Sequence, residues 1–329
     1  MPAASLLALI GNTPLVELTR LDAGPCRLFL KLELANPGGS IKDRIALSMI
    51  EAAEADGRLR PGMRMIEATA GNTGLGLALV GGAKGYGCTI VIPDKMSREK
   101  LAHLRALGAE VIVTRSDVGK GHPEYYQDLA ARLAAERPDT WFVNQFANPA
   151  NPRAHERGTG PEILAQMEGR VDAVVCGVGS GGTVTGLSRC FAERSPATEF
   201  VLADPEGSVL AAAVAGRPLG EAGNWQVEGI GEDFLPPILD LGRVRRAYTI
   251  GDPESFATAR RLLRTEGILA GSSTGCLLAA ALRYCREQRT PKRVVTFACD
   301  TGNKYLSKFY DDAWLAARGL ALDEEKPRA

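Results

Sequence analysis

The stretch VDAVVCGVGSGGTVTG, residues 171–186, carries the strongest chemical signal in this 329-residue chain. An apolar run enters Gly177-Val178-Gly179-Ser180-Gly181-Gly182-Thr183, and a helix is expected to start there. Small residues let successive backbone N–H groups turn toward one anion, and the positive end of the helix dipole adds attraction. With the hydroxyls of Ser180 and Thr183, the segment favours phosphate binding over a plain strand-to-helix turn. It also satisfies G-x-G-x-x-G, and Asp204 ends the next apolar run where a ribose-binding acid would stand, so a dinucleotide site stays open. In ANPGGSIKDRIA, residues 35–46, Ser40 can cap a helix whose first turn holds Lys42. A cation is disfavoured there, which lowers the amine's pKa as a Schiff-base lysine requires. By position alone, however, Lys42 reads more readily as one of many solvated lysines. In EATAGNTG, residues 67–74, a loop with Thr69, Gly71, Asn72 and Thr73 opens another helix and suits a carboxylate, though ordinary capping explains it equally well. AGSSTG, residues 270–275, is by itself a capping signal.

These loops need strands and helices to hold them. Strands are expected at 28–33, 65–68, 89–93, 110–114, 141–144, 171–177, 199–204, 246–250 and 294–298, several as continuous apolar runs suited to buried parallel strands. Helical stretches alternate with them and several end in Gly, which argues for α/β architecture with open parallel sheets. A domain boundary is expected in the loop 145–160, rich in Asn, Pro and Gly, and a frayed tail in ALDEEKPRA. The 39 basic residues balance 39 acidic ones, which removes the electrostatic motive for binding nucleic acid or a membrane surface. Seven scattered cysteines without C-x-x-C read as small hydrophobes in a reduced core, not as metal ligands. The N-terminus lacks a basic leader and no apolar stretch approaches 18 residues, so the expected compartment is cytoplasmic. The odd number is 37 glycines, about 11% against a usual level of roughly 7%.

Taken in order, Lys42 within NPGGSIKDR, then EATAGNTG, GVGSGGTVTG and AGSSTG resemble the fold-type II pyridoxal-phosphate enzymes. Within that group the chain is similar to the cystathionine β-synthase and cysteine synthase branch, from GNTPL at 11–15 to about Trp314. The resemblance implies two open-sheet αβα domains, tryptophan synthase β-like, with the active site between them. It implies a large cofactor-binding domain of residues 1–45 plus 149–315, a small mobile domain of 46–148 and a tail of 316–329. Pyridoxal 5'-phosphate is the implied cofactor, with Lys42 as its Schiff-base lysine and the base for the α-proton. Asn72 would bond the pyridine 3-oxygen, and Gly179, Ser180, Gly181, Gly182 and Thr183 would cradle the phosphate. Ser273, preferred to Ser272 by aligning AGSSTG on its final glycine, would face the pyridine nitrogen. Thr69, Ala70, Gly71, Thr73 and Gln145 would form the substrate-carboxylate site. The implied reaction is β-replacement on serine or O-acetylserine by a thiol, in a homodimer, with no metal.

The branch rests on longer segments. IPDKMSREKLAHLRALGAE, VEGIGEDFLPPILD and DTGNKYLSKFYDDAW resemble cystathionine β-synthases, whereas NQFANPANP and TGPEI look as much like cysteine synthases. Homocysteine is therefore the expected acceptor and sulfide the alternative. Glu228 and Glu232, flanking Gly231 in the expected substrate region, could engage the amino group of homocysteine or could be solvated loop acids. Ala70 stands where the family usually has serine, a loss of about 1 kcal/mol of hydrogen bonding. That departure keeps open a cofactor-binding partner protein without turnover. A bare catalytic core is expected, without a C-terminal regulatory module or an N-terminal haem extension. The rival from another class, a nicotinamide-dependent oxidoreductase using 177–182 and Asp204, leaves Lys42 and two loops unexplained.

Overall fold

The computed structural model describes residues 3–69, 71–94, 96–119, 121–320 and 322. In chain order the elements are β1 (Leu15–Glu17), β2 (Arg27–Lys31), α1 (Lys42–Ala55), β3 (Arg64–Ala68), α2 (Asn72–Lys84), β4 (Gly87–Pro93), α3 (Arg98–Ala106), β5 (Glu110–Thr114), α4 (Tyr126–Glu136) and β6 (Thr140–Phe142). There follow α5 (Ala150–Ala154), a π-helical turn (His155–Thr159), α6 (Gly160–Gln166), β7 (Ala173–Cys176), α7 (Gly182–Arg194), β8 (Glu199–Pro205) and α8 (Leu210–Val214). The described chain closes with β9 (Val244–Ile250), α9 (Asp252–Glu266), α10 (Ser272–Arg286), β10 (Arg293–Phe297) and α11 (Asp312–Ala316).

Two sheets organise these elements. A six-stranded sheet runs β1-β2-β10-β7-β8-β9, and a four-stranded sheet runs β5-β4-β3-β6. The chain leaves the larger sheet after β2, builds the smaller one, and re-enters at β7. All pairings are parallel except β1 with β2, where Leu15 faces Lys31. The apolar runs explain this: every residue of AVVC in β7 is buried, as is β4 beyond its first glycine. Strands covered on both faces cannot alternate polar and apolar residues. One core lies around the six-stranded sheet, and two smaller ones flank the four-stranded sheet.

Four features depart from the sequence reading. The edge strand β1 was not expected, because three residues give too short a pattern. Strand β2 ends at Lys31, and Glu33 instead enters a 3-10 turn where Arg44 pairs with it at 2.6 Å. The expected loop 145–160 is helical from Ala150. Pro152 lies in the first turn, where its missing N–H is not needed, and a Cβ at Gly160 would stand 2.7 Å from the Cys190 sulfur. Residues 252–266 form α9, with Pro253 in its first turn and Gly267 in the left-handed conformation at its end. The expected tail lies outside the described residues at 321 and from 323 onward.

Candidate active site

Ligands of parallel α/β sheets collect beyond the carboxyl ends of the strands. Here the loops after β2, β3, β7 and β10 come together and border one cleft: Ser40 bridges Asp300, Asn72 donates to Asp300, Thr274 Oγ1 accepts the Cys299 N–H, and Asn151 ties Gln145 to Ser180. The glycines in α2 let the helices close up: a Cβ on Gly76 would sit 3.0 Å from the Lys42 carbonyl oxygen.

Lys42 is the first residue of α1 and keeps some accessible surface although protein surrounds it. Its amine makes no hydrogen bond or ion pair with the described residues. Burial lowers its pKa from the usual lysine value, opposed by Cys299, Asp300 and Glu232. The first turn of α1 is pinned by Arg44, which bonds Glu33 at 2.6 Å and Glu162 at 2.7 Å, while Lys31 holds Glu162 at 2.8 Å. Asp43 accepts the Gly38 N–H, and burial pushes its carboxyl up to about 6.

The loop before α7 is open. The N–H groups of Gly179, Ser180, Gly181, Gly182 and Thr183 donate to no other described group. Gly182 packs so tightly on Asn151 that a Cβ would lie 1.8 Å from its Oδ1. The Asn151 amide donates to Ser180 Oγ at 2.9 Å and to the Gln145 carbonyl at 2.8 Å.

The loop before α2 is closed on itself. Thr73 Oγ1 donates to Gln145 Oε1 at 2.7 Å, Thr69 Oγ1 accepts the Gly71 N–H, and Gly71 sits at φ +129°. Asn72 donates to Asp300 Oδ2 at 2.7 Å and accepts from Lys304 Nζ at 3.0 Å. An ammonium can only donate, so Lys304 sets which way the Asn72 amide points. Below this loop Glu67 accepts the N–H groups of Ala68 and Gln145, and burial pushes its carboxyl up to about 8. Ala70 lies outside the described residues.

The two serines of AGSSTG separate cleanly. Ser272 Oγ accepts the Glu228 N–H at 3.0 Å, whereas Ser273 reaches the Cys299 thiol, which burial pushes up to about 12. Cys299 also senses the Lys42 charge. Glu228 departs from both expectations. It is neither solvated nor open to a substrate amine, because Lys100 and Lys308 each pair with it at 2.6 Å. Glu232 is half-buried and its charge is felt by Lys42, Tyr125 and Tyr126, while the neighbouring Gly231 N–H donates to the Val178 carbonyl. Asp204 is buried and accepts the Ala211 N–H at 2.7 Å, so it caps α8 instead of offering a carboxylate to a ribose.

Sequence reasoning missed Asp300, Cys299, Lys304 and His155. Asp300 is fully buried, with Oδ1 unpartnered among the described residues and Oδ2 shared by Asn72 and Tyr305. The segment DTGNKY, shortly after β10, is the available signal, but from sequence it speaks only to the branch.

Residues 6–300 match the family described as pyridoxal-phosphate dependent enzyme. The chain belongs to this family. It is 44% identical over 322 residues to cystathionine β-synthase from Rattus norvegicus, covering 97% of this chain and 57% of that protein. The chain thus spans a little over half the length of that curated relative. Among solved structures, a hydrogen sulfide-producing enzyme from Fusobacterium nucleatum matches with TM-score 0.87 and 37% identity over 93% of this chain and 100% of its own. The O-acetylserine dependent cystathionine β-synthase from Helicobacter pylori matches with TM-score 0.86 and 36% identity over 94% and 98%. The cleft suits the cofactor this family depends on: an unpaired amine with lowered pKa for its aldehyde, and five orphan amides for its phosphate. No helix among the described residues is long and apolar enough to cross a membrane.

Proposed function

We propose that this protein joins serine or O-acetylserine to homocysteine, giving cystathionine by β-replacement on pyridoxal phosphate. The 44% identity to cystathionine β-synthase over 97% of this chain carries this reading. Pyridoxal phosphate supplies an electron sink for the carbon beside the substrate amino group. Lys42 would hold the cofactor through Nζ, and its amine would serve as the base for the α-proton; a lowered pKa leaves more of it as free base. Gly179, Ser180, Gly181, Gly182 and Thr183 would hold the phosphate, and Asn72 would bond the ring 3-oxygen. Ser273, a neutral hydroxyl, would face the ring nitrogen, and a neutral partner there would leave that nitrogen unprotonated and favour β-elimination over transamination. Thr69, Gly71, Thr73 and Gln145 bind the substrate carboxylate. Glu228 is occupied by two lysines, and Glu232 is assigned to the amino group of homocysteine because its charge reaches Lys42.

Residues 46–148 act as a small mobile domain closing on 1–45 plus 149–315. The chain works as a cytoplasmic homodimer; Leu6 and Leu9, 50% and 53% exposed in one turn, suit a partner face. The likeness to a hydrogen sulfide-producing enzyme favours a second reading in which sulfide is the acceptor. Offering homocysteine and sulfide in competition, with serine and with O-acetylserine, tests both. Cystathionine as the main product is expected; mainly cysteine overturns the choice of acceptor. Borohydride reduction and peptide mapping should place a pyridoxyl group on Lys42 and nowhere else.

A further inference from the structure

His155 opens the π-helical turn between α5 and α6 and is fully buried behind the phosphate loop. Its Nδ1 lies 3.0 Å from Thr159 Oγ1, and its Nε2 lies 3.3 Å from Thr183 Oγ1. Burial, then the charges of Arg44 and Lys42, hold its pKa well below the usual imidazole value, so the ring is neutral and carries one proton. Which nitrogen holds it follows from the hydroxyls. Thr159 is fully buried and has no side-chain hydrogen-bond partner among the described residues besides His155 Nδ1. A buried hydroxyl proton without an acceptor costs about 1–3 kcal/mol. Thr159 must therefore donate, Nδ1 must accept, and the ring proton belongs on Nε2. Nε2–H then donates to Thr183 Oγ1, and the Thr183 hydroxyl proton has no acceptor among the described residues. Thr183 is the second residue of α7 and only half-buried, so that proton is presented to the cleft beside the orphan amides.

We propose that His155 is a positioning residue which, through the relay Thr159–His155–Thr183, turns the Thr183 hydroxyl into an obligatory donor to the cofactor phosphate. The relay uses no proton transfer; each group simply has one role left to it. With the opposite tautomer Thr183 would donate to the ring and present only lone pairs to a dianion. The inference rests on the reading of residues 179–183 as the phosphate site, and the test separates the two.

The test uses purified holoenzyme and reads cofactor loss on dilution together with the phosphorus resonance of the bound phosphate. Thr183→Val should speed cofactor loss by about tenfold, the worth of a hydrogen bond to a charged group. His155→Asn, which lacks a donor at the Nε2 position, should speed it about fivefold, and His155→Gln, which restores that donor, should return it to within about twofold of the parent. In the Thr183→Val background, His155→Asn should add almost nothing, because the route to the phosphate is already cut. If the Thr183 change matters but His155→Asn is silent, or the two losses add, the relay is wrong while the phosphate site stands. If Thr183→Val leaves cofactor retention and the phosphorus resonance unchanged, the phosphate reading fails and the relay with it. Nitrogen resonances of labelled histidine in the unaltered protein, which has three histidines, give a check that no folding defect can blur. A neutral Nε2–H ring at His155 is expected; an Nδ1–H ring or an imidazolium overturns the proposal.

Discussion

The loops before α7 and α2 are built from the same small residues, yet they face the cleft in opposite states. The loop before α7 leaves its five N–H groups without protein partners. The loop before α2 spends its side chains internally, Thr73 on Gln145 and Asn72 on Asp300 and Lys304. The difference matches the lifetimes of the proposed ligands. A cofactor phosphate stays, so its cradle can be left open and waiting. A substrate carboxylate comes and goes, and a loop that falls back on its own hydrogen bonds avoids buried unsatisfied groups between turnovers.

Substitutions can break that contrast. Lys42→Ala should cut turnover by about a thousandfold and abolish borohydride labelling. In the open loop, Gly182→Ala drives a methyl into Asn151 and should cost about 1–3 kcal/mol of folding stability, read by denaturant titration, with loss of cofactor.

The closed loop should respond to pH. The Glu67 carboxyl sits near 8 when folded, against an ordinary value of 4.5. Between those values the folded protein binds the extra proton, so stability should fall as pH rises through that window. Glu67→Gln should flatten that part of the curve in melting temperatures taken across it, and an unchanged slope would place the titration elsewhere. The smallest effect belongs to Thr73→Val. It should raise the KM for the amino-acid substrate about fivefold with little change in kcat, because the bond lost to the substrate carboxylate is partly offset by the Thr73–Gln145 bond that substrate would have to break.

The chemistry of the site was legible where it depends on residue type and order. Four short loops in sequence pointed to the family and to Lys42, and the apolar runs of β4 and β7 marked buried parallel strands. The helices at 150–166 were not legible, because Pro152 and Gly160 look like loop residues until Cys190 and the first-turn position account for them. Glu228 was misread for a related reason. Its two lysines lie 128 and 80 residues away, and no local pattern announces such a pair.

The sequence alone therefore determined the local devices: glycines that bare the backbone, hydroxyls at helix starts, and a lysine in a first helical turn. Those are properties of a residue and its near neighbours. Tertiary structure decided which devices are already occupied and which are open, because hydrogen-bond partners and dielectric come from segments far apart in the chain. It tied Ser272 to Glu228, sealed Glu228 with two lysines, turned Asp204 into a cap, and brought His155 behind Thr183. Each outcome is a competition for a limited number of donors and acceptors, and only the packed fold brings the competitors together.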